Sequence, residues 1–152
     1  MRIERVTAEA TGQVAVIDAV AALRYALWPV EDEAEHRAEL AELAASPDAV
    51  VLVALSEDAE PVGYAEASLR RDYVNGCETS PVAFLEGIFV APGYRLHGLA
   101  GELCEAVEAW GRELGCSELG SDALLENAVA HRFHQSHGFE ERERVVYYRK
   151  KL

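Results

Sequence analysis

Glu86 interrupts an otherwise apolar run, Val82 to Val90. Strand alternation puts it on one face with Phe84 and Ile88. A carboxylate on an apolar stripe is costly and needs a reason. Burial would raise its pKa, as a general base working near neutrality requires. The alternative is a structural carboxylate neutralised by an arginine from elsewhere in the chain. Asp122 follows Ser121 at the end of a short strand. Ligand groups sit at such carboxyl ends in α/β sheets, although a turn or cap aspartate fits there too. His131, His134 and His137 invite a metal reading. Positions three apart share a helix face, but positions six apart lie roughly 240° round it, so no metal is expected.

A second chemistry-bearing stretch runs Ile88-Phe89-Val90-Ala91-Pro92-Gly93-Tyr94-Arg95-Leu96-His97-Gly98-Leu99-Ala100. It reads as strand, tight loop and helix. Gly98 and the small Ala100 let a ligand approach the backbone. The first helical turn has free N–H groups and the positive end of the helix dipole. Together these suit a pyrophosphate. An ordinary strand–helix loop with glycines for geometry is the competing reading.

Residues 1–6 read as a short strand that helps frame these groups. Val14, Ile17, Val20, Leu23 and Leu27 give helical spacing over 11–27, and Trp28-Pro29 stops that helix. A second, acidic helix covers 31–46. Ala49 to Leu55 and Val62 to Leu69 form a hairpin around the turn at 57–61. Residues 71–81 are rich in turn formers and make a surface loop. Val82 to Val90 is a central strand. Leu99, Leu103, Val107, Trp110 and Leu114 mark one face of a helix over 97–114. Ser117 to Ser121 is a short strand, 126–137 a last helix stopped by Gly138, and Glu143 to Arg149 a closing strand. The order β-α-α-β-β-β-α-β-α-β implies an α/β (α+β) fold. Its mixed sheet carries a locally parallel pair where a strand, crossover helix and strand follow one another.

The 152 residues suit one domain, 1–152. With 14 Lys plus Arg against 27 Asp plus Glu, the formal net charge is −13. That argues against nucleic acid, which needs a basic footprint, and against docking on anionic membranes. It would attract a small cationic molecule, or simply aid solubility. Cys77, Cys104 and Cys116 are odd in number and lack metal spacing. They read as reduced thiols of a cytoplasmic protein. The N-terminus lacks a signal-peptide core, and no apolar run approaches the ~18 residues of a membrane span.

Arg95-x-x-Gly98-x-Ala100 after an apolar strand resembles the GNAT acetyltransferase motif, and the element order resembles the GNAT fold. Leu96 stands where relatives often carry a second arginine. Further segments resemble the aminoglycoside 6'-N-acetyltransferases: Trp28-Pro29, Leu69 through Gly76, Ser80 through Gly87, Ser121-Asp122, His134-Gln135, Gly138-Phe139-Glu140 and Arg144 through Tyr147. The resemblance implies acetyl-CoA as cosubstrate, an aminoglycoside as acceptor, direct transfer in a ternary complex and a homodimer. It implies that Glu86, Asp122 and Tyr73 line the acceptor pocket, with Glu86 or Asp122 as candidate base. Trp28 offers the sugar an apolar wall or belongs to the core. Glu78 stands at the pocket mouth or is a solvated loop charge. By the same resemblance, Arg95, His97, Gly98, Leu99 and Ala100 hold the pyrophosphate. Asn127 contacts the pantetheine arm or caps its helix. A backbone N–H near Val90 polarises the thioester. His134 stands where many relatives place a tyrosine that protonates the thiolate, making it a candidate proton donor or CoA contact.

Overall fold

The computed structural model describes residues 1–8 and 13–152, and the side chains of residues 13 and 14 lie outside the described set. The elements are β1 (Arg2–Arg5), α1 (Gln13–Leu27), α2 (Glu33–Ala45), β2 (Ala49–Leu55), β3 (Pro61–Arg70) and β4 (Val82–Val90). A single 3-10 turn (Pro92–Tyr94), α3 (Leu99–Glu113), β5 (Leu119–Ser121) and α4 (Ala128–Ser136) follow. The expected helix start at Thr11 and Gly12, and the Val14 side chain, fall outside the described residues.

One five-stranded sheet carries the strands in chain order, antiparallel throughout except for the parallel β4–β5 pair. The parallel pair follows from the crossover through α3, which returns the chain to the same end of the sheet. The α1 and α2 face buries Val20, Leu40, Val51, Val53 and Tyr64. The α3 face buries Leu52, Ala65, Leu85, Leu103, Val107 and Trp110. Each fully buried large apolar side chain contributes about 1.5–3 kcal/mol, so this double-sided core fixes where β4 lies. β2 is buried along its whole length, as its continuous apolar run requires. Leu114 does not join the α3 stripe. It sits at the helix C-cap, 38% exposed.

Two expectations need correction. Glu143 to Arg149 forms no strand: residues 140–152 adopt no regular structure and are exposed. An apolar segment becomes a strand only against a partner edge, and none of the described residues forms a ladder with it. The second correction lies at the centre of the sheet. Between β3 and β4 the register runs Glu66↔Gly87 and then Ala67↔Leu85, leaving Glu86 as the extra residue of a β-bulge. The bulge reverses side-chain parity. Leu85 and Ile88 therefore both meet the α3-side core, and Glu86 does not share a face with Ile88.

Candidate active site

Glu86 reaches two residues of the neighbouring strand. Arg70 Nη2 donates to both of its carboxylate oxygens, at 2.8 and 3.0 Å, and Arg70 Nε to one at 3.2 Å. Ser68 Oγ donates to the same carboxylate at 2.5 Å. The guanidinium lies 3.5 Å above the Phe84 ring, so Glu86 and Phe84 do share a face. The carboxylate is not sealed in apolar surroundings: its side chain is 31% exposed and Arg70 is 42% exposed. The arginine that the structural reading of Glu86 required is Arg70. Pairing the hairpin strands from the 71–81 loop would have brought it near, but the bulge that completes the approach has no signature in the sequence pattern.

The buried carboxylate of the sheet is instead Glu66, 4% exposed. Arg24 Nε donates to it at 2.9 Å. Burial pushes the Glu66 carboxyl up, and the guanidinium pulls it back. Arg24 also donates to Glu39 at 2.6 Å and to His36 Nδ1 at 2.7 Å. Because arginine can only donate, His36 Nδ1 must accept, and Nε2–H donates to the Trp28 carbonyl at 2.9 Å. The same guanidinium lies 5.1 Å from the Trp28 ring centre. A Cβ at Gly87 would come within 2.5 Å of that ring, so glycine lets the indole lie directly on β4 beside Glu86. Trp28 is half-buried and also borders a cavity of about 290 Å³ with Glu31, His36 and Glu39. Those three residues could offer ligand atoms within 4.8 Å of one another, but His36 Nδ1 already accepts a hydrogen bond from Arg24. The sequence reading missed this network, whose partners Arg24 and Glu66 lie 42 positions apart.

The parallel ladder of β4 and β5 has its last rung at Leu85↔Ser121. Glu86 and Asp122 are the next residues on the two strands. Asp122 is exposed, and no described residue pairs with its carboxylate. Beyond this rung β4 continues to Val90 with no β5 beside it. Ala91 N donates to Val62 O at 2.9 Å. Antiparallel pairs alternate between bonded and non-bonded, so the N–H groups of Val90 and Ile88 point to this open edge.

The open edge leads into the proposed anion cradle. Gly98 takes the left-handed conformation, φ +81°, at the α3 N-cap, and its own Cβ position is clear of neighbours. Backbone angle rather than crowding therefore demands glycine there. The first α3 donor with a helical partner is Glu102 N, bonded to Gly98 O at 3.1 Å. The N–H groups of Leu99, Ala100 and Gly101 precede it. Leu96 and His97 are exposed, whereas the Leu99 side chain is buried in the core, leaving only its backbone for a ligand. Arg95 is folded back, with Nε donating to Val90 O at 2.8 Å and its guanidinium 5.4 Å from the Phe89 ring centre.

On α4, Asn127 caps the helix by accepting from Ala130 N at 3.1 Å. Gly138, φ +82°, ends the same helix as expected. His134 Nδ1 lies 2.6 Å from Ala130 O, and Nε2 lies 2.7 Å from Ser121 Oγ. His131 Nε2 turns to Leu125 O and His137 Nδ1 to Phe133 O, so the three rings do not converge.

Tyr73 is 75% exposed, and its hydroxyl lies 3.4 Å from Glu143. Glu78 is also exposed and takes a 3.4 Å contact from Arg142. The loop and residues 140–143 enclose a groove of about 390 Å³ that sets Glu78, Glu140, Glu141 and Glu143 against Arg142. Glu118 ties the loop to β5. It accepts from the N–H groups of Glu78 and Thr79 at 2.9 and 2.7 Å, and from the Thr79 hydroxyl. Burial pushes the Cys104 thiol up to about 11 and raises that of Cys77 as well, which suits neither to nucleophilic work.

A model of the acetyltransferase (GNAT) family matches residues 17–139. An aminoglycoside N(6')-acetyltransferase type 1 of Serratia marcescens is 50% identical over 136 residues, covering 90% of this chain and 93% of the relative. A relative of the same description from Salmonella typhimurium is 46% identical, covering 85% of this chain and 88% of its own. Among solved structures, AAC(6')-Iy in complex with the bisubstrate analogue CoA-S-monomethyl-acetylneamine superposes with TM-score 0.90 at 39% identity, covering 99% of this chain and 98% of that one.

Proposed function

We propose that this chain, which belongs to the acetyltransferase (GNAT) family, moves the acetyl group of acetyl-CoA onto the 6'-amine of an aminoglycoside. The observation that carries the chemistry is the parting of β4 and β5 at Leu85↔Ser121. It sets two carboxylates, Glu86 and Asp122, at the head of an open strand edge that runs into the α3 cradle. The acceptor class is supported by relatives half identical over most of the chain.

In this reading the free N–H groups at Leu99, Ala100 and Gly101 hold the pyrophosphate against the α3 dipole. Arg95 and His97 flank it. The pantetheine arm follows the unpaired edge of β4, with Asn127 beside it, and the Val90 N–H polarises the thioester oxygen as acetyl moves. The acceptor enters from the acidic side. Trp28 and Tyr73 offer apolar walls, while Glu86, Asp122 and Glu78 attract its ammonium groups. Glu86 or Asp122 receives the proton that an ammonium must lose before it can attack, and His134 supplies the proton that the departing thiolate needs. Transfer is direct, in a ternary complex, with no acyl-enzyme role for Cys77, Cys104 or Cys116. The protein works as a cytoplasmic homodimer without a metal. Among the described residues no helix is long and apolar enough to cross a membrane.

The test compares CoA release from acetyl-CoA with neomycin and with paromomycin, which carry an amine and a hydroxyl respectively at the 6' position. Turnover with neomycin and almost none with paromomycin is expected. Equal turnover would move the acetylated amine elsewhere. No turnover with either would point to a different amine acceptor.

A further inference from the structure

Trp28 is the first residue beyond α1, and it is held from several sides. Its N–H donates to Arg24 O at 2.8 Å, closing the last turn of the helix. Its carbonyl accepts from His36 Nε2–H at 2.9 Å. His36 reaches that carbonyl because the Asp32–Glu35 capping box fixes where α2 begins, one turn earlier. The imidazole is buried and is itself held by Arg24 Nη1 at 2.7 Å. Arg24 is anchored in turn by Glu66 and Glu39, and its guanidinium lies 5.1 Å from the indole centre, within cation–π range. One buried guanidinium therefore grips Trp28 twice, at the ring directly and at the backbone through His36.

The indole lies on the face of the sheet that carries Glu86. On β3, Tyr64 packs in the α1 and α2 core, and Ala65 and Ala67 pack in the α3 core. Alternation then sends Glu66, Ser68 and Arg70 to the α1 side. Glu66 pairs with Gly87. Indole atoms Cη2 and Cζ2 would stand 2.5 and 2.8 Å from a Cβ at Gly87, so the ring rests on that glycine. Ser68 and Arg70, the next two side chains on this face, hold Glu86. The β-bulge turns Glu86 and Gly87 to the same side. Ring and carboxylate are thus neighbours, one residue apart along β4. Trp28 is only half-buried, which leaves it surface to present.

We propose that Arg24 and His36 are positioning residues for the acceptor, setting the Trp28 indole against Gly87 as a fixed wall beside Glu86. The proposal rests on the acetyltransferase reading above, in which Trp28 meets the sugar. A wall fixed in advance leaves less to be ordered when the acceptor binds. The two residues act through the indole, so their effect belongs to acceptor binding and not to the chemical step.

The test uses the intact protein with acetyl-CoA and neomycin. His36→Leu removes both hydrogen bonds, whereas His36→Gln keeps an acceptor and a donor side by side. His36→Leu should raise KM for neomycin about fivefold, with kcat, and acetyl-CoA affinity by calorimetry, within about twofold. His36→Gln should recover most of that loss. Gly87→Ala keeps the network but displaces the ring, and should raise the same KM. Added to Trp28→Ala, His36→Leu should raise KM no further, because it acts only through the indole. Acrylamide quenching of tryptophan emission should increase in His36→Leu, a change that reports on Trp28 because the other tryptophan, Trp110, is buried in the α3 core. If Trp28→Ala raises KM but His36→Leu leaves it unchanged, the positioning role falls alone. It falls too if kcat and acetyl-CoA affinity drop together, if glutamine restores nothing, or if the losses add in the double variant. Unchanged KM in Gly87→Ala would overturn the placement even where His36→Leu does not fold. Unchanged KM in Trp28→Ala, or wild-type protein that acetylates no aminoglycoside, would overturn the proposal together with the reading beneath it.

Discussion

Glu86 is shared between two claims, one internal and one from the acceptor. Arg70 already neutralises it through a bidentate contact, and an incoming ammonium must compete for the same oxygens. Arg70→Ala should therefore lower KM for neomycin severalfold in steady-state assays. A raised KM would instead mean that Arg70 holds the carboxylate in its working position. Asp122 has no such partner among the described residues. Glu86→Gln and Asp122→Asn should each cut kcat while leaving acetyl-CoA affinity within about twofold, since both stand on the acceptor side. A variant that keeps wild-type turnover across pH removes its residue as the essential base. Residue types marked Glu86, Asp122 and His134 in the sequence because charge or imidazole there demands a reason. His36 carried no mark, since a lone histidine in an acidic helix is silent until Arg24 is seen 2.7 Å away.

Elements position these residues, and two ties decide how firmly. Glu118 holds the 71–81 loop, which bears Tyr73 and Glu78. The hydrogen bond from the Thr79 hydroxyl, then the N–H groups of Glu78 and Thr79, hold its carboxyl below the usual carboxylate range. A depressed folded-state pKa means that the stabilisation is complete above the unfolded value and fades as pH falls through the folded one. The protection of the amides of residues 78 and 79, measured against their intrinsic exchange rate at each pH, should therefore fall on acidification below the usual glutamate range of about pH 4.3. Glu118→Gln should weaken that acid dependence. The second tie is the buried Arg24–Glu66 pair beneath Trp28. Arg24→Met leaves Glu66 without the guanidinium that neutralises it, and removing one partner of a buried pair costs about 3–5 kcal/mol. Urea unfolding should show that loss, and an unchanged midpoint would deny the pair its structural role. Apolar runs and a proline stop revealed the elements themselves: β2, the span of β4, the end of α1 and the α3 stripe up to Trp110 lie where hydrophobic pattern puts them. The bulge and the Arg24–Glu66 pair were illegible, because periodicity describes one segment at a time and both features join two.

For the whole molecule, the exposed segment 140–152 is the unfinished part. Val145, Val146, Tyr147 and Tyr148 are 47–92% exposed, an arrangement that soluble chains avoid unless another surface covers it. The sequence read this segment as a strand, and its run of β-branched and aromatic residues suits one, but among the described residues it pairs with no strand edge. With the homodimer proposed above, removal of residues 144–152 should convert a sedimenting dimer into a monomer at assay concentration. A full-length monomer would remove the idea. The β4 bulge has a wider consequence. Because Leu85 and Ile88 stay on the same core face across it, residue 86 supports neither hydrophobic layer. Variation at this position therefore costs the Ser68 and Arg70 hydrogen bonds but no core packing. A lineage can exchange the group facing the acceptor, and with it the range of amines it modifies, while the sheet that carries the site remains unchanged.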